Sequence, residues 1–186
     1  MSGYYRLHAG GVVRNGVAAL LIGPSGVGKS TLVVRLVSDG FGLLADDEVW
    51  IDPVSHVAHP SGRSLLLKES AWDLFPDHRD KFVSAAADGS RAWWLSGEDL
   101  RPGCRALPTR VGGLILLDRS CGHGPVLEPV GQTEVVSSLL QESMNFPEFG
   151  PAGLNLLVDV THSARLFRLR NSDLNRCAEM LARALP

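Results

Sequence analysis

Apolar positions along this chain repeat at two different spacings, every second residue in some blocks and every third or fourth in others, which predicts strands interleaved with helices. Residues 4–13 and 17–22 read as strands, and Arg14-Asn15-Gly16 between them carries the Asn-Gly pair of a tight hairpin. In residues 31–37, Leu32, Val33, Leu36 and Val37 share one helical face, and Gly40 after Asp39 is the expected C-cap. Residues 41–45 read as a short buried strand that ends in Asp46-Asp47-Glu48. Residues 49–51 continue as a strand, Asp52-Pro53 marks a turn, and 56–59 is an antiparallel partner. A short apolar strand at 65–67 precedes two helical turns at 69–75, stopped by Pro76. The charged stretch 77–91 is expected as a mobile loop near the site.

The second half supplies strands at 92–95 and 111–117, the latter central, separated by the polar segment 96–110. Residues 132–144 place Val135, Val136, Leu139, Leu140 and Ser143 on one helical face, and another helix is expected at 152–160. A late strand at 164–169 leads to a final helix capped by Ser172, with Leu174, Cys177, Ala178 and Leu181 in helical period. No repeat, low-complexity tract or linker divides the chain, so residues 1–186 are expected to form one α/β domain.

Composition narrows the class more than the chemistry. With 45% apolar residues, 20% charged residues and a formal net charge of -2, nothing in the bulk charge suggests a nucleic-acid partner. Any phosphate must be held locally. Residues 1–7 are too short and polar for a signal peptide and no run approaches a membrane span, so a cytoplasmic protein without a membrane partner is expected. Cys104, Cys121 and Cys177 are odd in number and widely spaced, and are read as free thiols.

The chemistry begins at Gly23-Pro24-Ser25-Gly26-Val27-Gly28-Lys29-Ser30, which fits the phosphate-binding (P-loop, Walker A) pattern G-x-x-x-x-G-K-[S/T] between a strand and a helix. Three glycines let the backbone bend so that successive N–H groups face one anion. Lys29 adds a mobile positive charge, the helix opening at Ser30 and Thr31 adds its N-terminal partial charge, and the Ser30 hydroxyl suits a magnesium ion bridging nucleotide phosphates. Downstream, Asp46 and Asp47 come next to this loop if their strand lies parallel beside the loop strand. One carboxylate of such a pair can hold magnesium while the other takes the proton of an attacking hydroxyl.

Taken together, His8, the hairpin, GPSGVGKS and Leu43-Leu44-Ala45-Asp46-Asp47 resemble the catalytic domain of the HPr kinase/phosphorylase family. The segments Leu127-Glu128-Pro129-Val130, Ser143-Met144-Asn145, Ala152-Gly153-Leu154 and residues 168–174 are similar to the small HPr-kinase-related kinases of peptide-modification gene clusters. The resemblance implies a P-loop domain with a mixed sheet, like that of phosphoenolpyruvate carboxykinase. It implies ATP and Mg2+ as cofactors, Asp46 as catalytic base, Asp47 as its partner and metal neighbour, and His8 as support for the pair. Lys68, in Leu65-Leu66-Leu67-Lys68-Glu69, matches a leucine-lysine segment of the related kinases and is a candidate for stabilising transferred charge.

Family members that act on HPr carry a separate N-terminal domain, and here His8 lies almost at the start. They also carry an E-x-R-G-L-G-I segment, which has no counterpart in residues 49–74. The leading expectation is therefore a serine kinase acting on a peptide or small protein, such as a lasso-type precursor peptide. A minimal HPr kinase/phosphorylase and a non-catalytic ATP-binding module are the alternatives, and formation of a homo-oligomer, as in the hexameric parent family, stays open. Asp118, at the end of an apolar strand, would take the metal role in a general NTPase. His56 and His59 do not share a strand face, Trp93 and Trp94 suit packing, and Arg101, Arg105 and Arg110 suit a solvated loop. Arg165, Arg168 and Arg170 suit an edge-strand face.

Overall fold

The computed structural model describes residues 3–81, 83–85, 92–119, 124–171 and 173–185. Two strands, β1 (Tyr5–Leu7) and β2 (Ala9–Arg14), occupy the run expected as one, and the chain changes sheet partners between them, at His8. The hairpin to β3 (Val17–Ile22) closes on Asn15 and Gly16, both at positive φ (48° and 76°), the two-residue turn whose twist matches paired strands. Helix α1 (Lys29–Ser38) follows the loop, and Gly40 at φ 103° turns the chain out of it into β4 (Gly42–Ala45).

Strand β4 does not lie beside β3 as expected. β2 sits between them, antiparallel to both, so β4 runs in the direction of β3 one strand away. The acids at its end still reach the loop end of the sheet. β5 (Val49–Ile51) and β6 (Val57–His59) pair as expected, and β5 takes β1 as its other neighbour. The long central β10 (Thr109–Arg119) is parallel to β3 on one side and to β12 (Arg165–Asn171) on the other, with β6 on its first residues.

Strand β7 (Leu65–Lys68) belongs to a separate three-stranded sheet with β8 (Val83–Ala85) and β9 (Ala92–Leu95). The stretch expected as a mobile loop thus contains a 3-10 helix at Pro76–Lys81 and strand β8, while its remaining positions 82 and 86–91 lie outside the described residues. The helical turns expected at 69–75 form as a 3-10 helix, Glu69–Leu74. A short α2 (Gly97–Leu100) interrupts the polar segment.

β11 (Val126–Pro129) was not anticipated. It covers the far side of β12, so Arg165, Arg168 and Arg170 are on an inner strand rather than an edge. Helices α3 (Gln132–Gln141), α4 (Phe146–Phe149), α5 (Pro151–Ser163) and α6 (Leu174–Ala184) complete the chain. The cap of α6 is Asp173, whose carboxylate accepts from Arg176 N at 3.1 Å; the expected cap, Ser172, lies outside the described residues.

Helices cover both faces of the sheet. Alternate residues of β3 and β10 feed two cores: Ala19, Leu21, Ile115 and Leu117 pack with α1 and α6, while Leu20, Ile22, Leu114 and Leu116 pack with α3 and α5. Gly10 on β2 lets α1 come close, since a Cβ there would stand 2.8 Å from a Val33 methyl. Cys104 and Cys177 are buried and form no disulfide among the described residues, and Cys121 lies outside them. Among the described residues no helix is long and apolar enough to cross a membrane.

Candidate active site

The loop between β3 and α1 is bent by Gly23, Gly26 and Gly28, at φ 150°, 85° and 110°, values a side chain would strain. No side chain caps α1, so the N–H groups of its first turn stay available to an anion from outside the chain. Pro24, Ser25 and Gly26 form the exposed tip, and Val27 anchors the loop in the core. Lys29 is 6% exposed, and its ammonium folds back to donate to the carbonyls of Gly23 (2.6 Å) and Pro24 (3.3 Å). Burial pushes the Lys29 pKa down, while Glu142, Asp47 and Asp46 oppose that fall and Lys68 adds to it. Glu142, Asp47, Asp46 and Lys68 are therefore close enough to act on the loop cation.

The adjacent acids diverge. Asp46 is 2% exposed; its Oδ2 accepts from Leu66 N on β7 at 3.1 Å, and its Oδ1 has no hydrogen-bond partner among the described residues. Burial raises its pKa to about 6, against the lowering effects of the Leu66 N–H, the nearby Ser30 hydroxyl and Lys29. Asp47 sits in the left-handed region at φ 69°, which turns its side chain outward to 64% exposure. There its Oδ1 meets His8 Nε2 at 3.0 Å, and the opposite ring nitrogen, Nδ1, is 2.5 Å from Glu142 Oε2. Glu48, the third acid of the run, is buried by Arg63 (2.7 Å), Arg6 (3.6 Å) and the Trp50 indole N–H (2.9 Å) and does not face the loop.

A cleft of about 380 Å3 opens beside the loop at the carboxyl ends of β3 and β10, lined in part by Gly23, Pro24, Asp118, Ser138, Glu142 and Arg168. The residue set fits a magnesium nucleotide. It offers a glycine-bent loop, an uncapped helix start, a hydroxyl at Ser30, and a buried carboxylate oxygen without a partner among the described residues. Among the described residues no three His, Cys, Asp or Glu side chains gather into a self-contained metal site, so magnesium here would draw further ligands from phosphate and water.

No known family model matches the chain. It is 42% identical over 75 residues to an HPr kinase/phosphorylase of Pelodictyon phaeoclathratiforme and 50% identical over 75 residues to one of Chlorobium phaeovibrioides. The chain is HPr-kinase-like. Each match covers 40% of this chain and 20% of the relative, so the matched stretch spans about a fifth of the length of these proteins. The solved HPr(Ser) kinase/phosphatase of Coxiella burnetii aligns over 96% of this chain and 94% of that one, with 13% identity and a TM-score of 0.45.

In this HPr-kinase-like chain the structure gathers Gly23 to Thr31, Asp46, Asp47 and His8 at one end of the sheet. Lys68 is exposed on β7, close enough to influence Lys29, without a direct bond to the loop. Asp118 lines the cleft together with Gly23 and Pro24 of the loop. Arg101 is engaged elsewhere, donating to Val37 O and Phe41 O at the far end of α1, and Arg168 and Arg170 pair with Glu128, Arg168 also with Glu134. The Trp93 ring packs against Trp72 and the His59 ring against Tyr4, both in tilted contact. Glu142 carries no signal in the sequence, where it is one more polar residue at a helix end beside Ser143-Met144-Asn145.

Proposed function

We propose that this chain is an ATP-dependent kinase that transfers the γ-phosphoryl group to a serine hydroxyl of a peptide or small protein, a lasso-type precursor peptide being the candidate by resemblance. The observation that carries the reading is the divergence of Asp46 and Asp47 beside a glycine-bent loop, one acid buried toward Ser30 and the other exposed on His8. The loop amides and the first turn of α1 hold the phosphates, and Lys29 leaves its two carbonyls to meet them. Asp46 and Ser30 are the residues that would hold magnesium, which when bound offsets charge on the β- and γ-phosphates.

Asp47 then takes the proton of the acceptor hydroxyl as its oxygen bonds to the γ-phosphorus and the bond to the bridging oxygen of ADP breaks. This exchanges the roles that the resemblance implies for the two acids, because the buried one lies beside the Ser30 hydroxyl and the exposed one has the oriented access. Lys68 adds positive charge near the transferred group. HPr as the acceptor is the second reading, supported by the names of the matched relatives.

The test is label transfer from magnesium γ-labelled ATP to serine peptides and to HPr in parallel. Peptide labelling without HPr labelling supports the proposal, and the converse selects the second reading. ATP binding with no transfer to either, or to water, leaves a nucleotide-binding module and defeats both.

A further inference from the structure

We infer that Glu142 is a positioning residue for this reaction, acting through His8, and that residues 142–145 form a clamp that delivers it; the inference rests on the kinase reading given above. An imidazole held at one nitrogen can still swing about its side-chain torsions, whereas one held at both nitrogens by opposed carboxylates cannot. His8 is in the second situation, with Asp47 3.0 Å from Nε2 and Glu142 2.5 Å from Nδ1. Carboxylates only accept, so Nδ1 donates to Glu142 and Nε2 donates to Asp47, and the first of these contacts fixes the ring that aims the second. Glu142 also accepts the His8 backbone N–H on its carbonyl at 2.8 Å, so it grips the residue by main chain and side chain together.

The way α3 ends explains how a side chain 134 positions away is brought to His8 with such definition. The helix stops at Gln141, short of its expected end, and the next residues run antiparallel along β1. Ser143 bridges Leu7, Met144 N donates to Arg6 O at 2.9 Å, and the Tyr5 hydroxyl donates to Ser143 Oγ at 2.6 Å. Asn145, 2% exposed, accepts from Arg6 N at 2.9 Å and donates to Tyr4 O at 3.1 Å. These bonds fix the backbone on both sides of the carboxylate–imidazole contact. Glu142 also heads the charges that favour protonated Lys29 and lines the cleft by the loop, so its carboxylate stands within the site and not behind it.

Two measurements test the inference. In 15N-labelled protein at fixed pH, with His8 signals assigned by their loss in H8Q, the wild type should show a bonded, slowly exchanging Nδ1 proton that disappears in E142L and persists in E142Q, whose amide oxygen still accepts. Unchanged His8 ring signals in E142L overturn the proposal. In the transfer assay E142L should lower kcat by about 10- to 100-fold, a larger factor than any change in KM for ATP. E142Q should retain most of the rate, and E142L should cost little more once His8→Ala is present. Losses that simply multiply in the double variant assign Glu142 a purely structural role. Should the wild type transfer phosphate to no acceptor, the kinase reading fails, and the His8 ring signals still decide whether Glu142 positions the imidazole.

Discussion

On the α1 side of the site, Lys29 and Asp46 are 6% and 2% exposed, and one carboxylate oxygen has no partner among the described residues; on the α3 side, Asp47 is 64% exposed and tied through His8 to Glu142. A buried polar atom without a partner costs about 1–3 kcal/mol. A fold keeps such a group where something that arrives later satisfies it, which suits a magnesium nucleotide. A wet, hydrogen-bonded carboxylate has no such deficit and is placed to exchange a proton with an acceptor. Two adjacent residues thereby acquire different chemistry from surroundings alone.

Replacing each acid by its amide gives the widest separation between the two sides. D47N should lower phosphoryl transfer by about 10²- to 10⁴-fold with nucleotide affinity retained. Asn tolerates the φ of 69° at this position, so the backbone should survive. D46N should instead weaken magnesium-dependent ATP binding by about 10- to 100-fold, read by calorimetry with and without the metal. If D46N loses transfer while binding magnesium ATP normally, the assignment of the two acids is inverted.

Asp46 also predicts how the ligand-free protein responds to pH. Its folded pKa is raised from 3.8 to about 6 by burial, so between these values the folded state holds more protons than the unfolded state. Stability contributed by this group is therefore full below about pH 4 and is lost as pH rises to about 6, a change of about 3 kcal/mol from the size of the shift. Denaturant unfolding of wild type and D46N across this window should differ by that slope, without metal or nucleotide. Parallel pH dependence in the two proteins would mean that Asp46 is solvated and that the two sides do not differ.

The features legible in the sequence are those whose causes are local. Asn15-Gly16 specifies its turn through positive φ at both residues, the glycines of the loop do the same, and Asp46-Asp47 follow a short apolar run that reads as a buried strand. What escaped depends on partners far along the chain. β11 has exposed ends and half-buried central residues, so it carries no clear alternation, and it exists because β12 has a free edge to pair. The insertion of β2 between β3 and β4 follows from the hairpin, which the strand–helix–strand expectation had not combined with it. Glu142 has no local signal at all; its role comes from a helix end docked on a strand from the opposite end of the chain.

The smallest effects probe whether the α3 side depends on satisfied hydrogen bonds. Tyr5 is fully buried, burial raises its pKa so that the hydroxyl stays neutral, and it donates to Ser143 Oγ, which itself donates to Leu139 O at 2.8 Å. Tyr5→Phe removes one bond but leaves Ser143 its helical partner, so it should cost about 1 kcal/mol. Ser143→Ala leaves the buried Tyr5 hydroxyl with no acceptor and should cost more, about 1–3 kcal/mol. Thermal unfolding should separate the two, with shifts of about 2–4 °C per kcal/mol in a chain of this size. The order matters more than the sizes. A larger loss for Ser143→Ala means that the clamp resists leaving polar groups unpaired, unlike the Asp46 side, where one is tolerated. Equal losses would mean that apolar packing around Tyr5 holds the clamp, and the contrast between the two sides would then reduce to exposure alone.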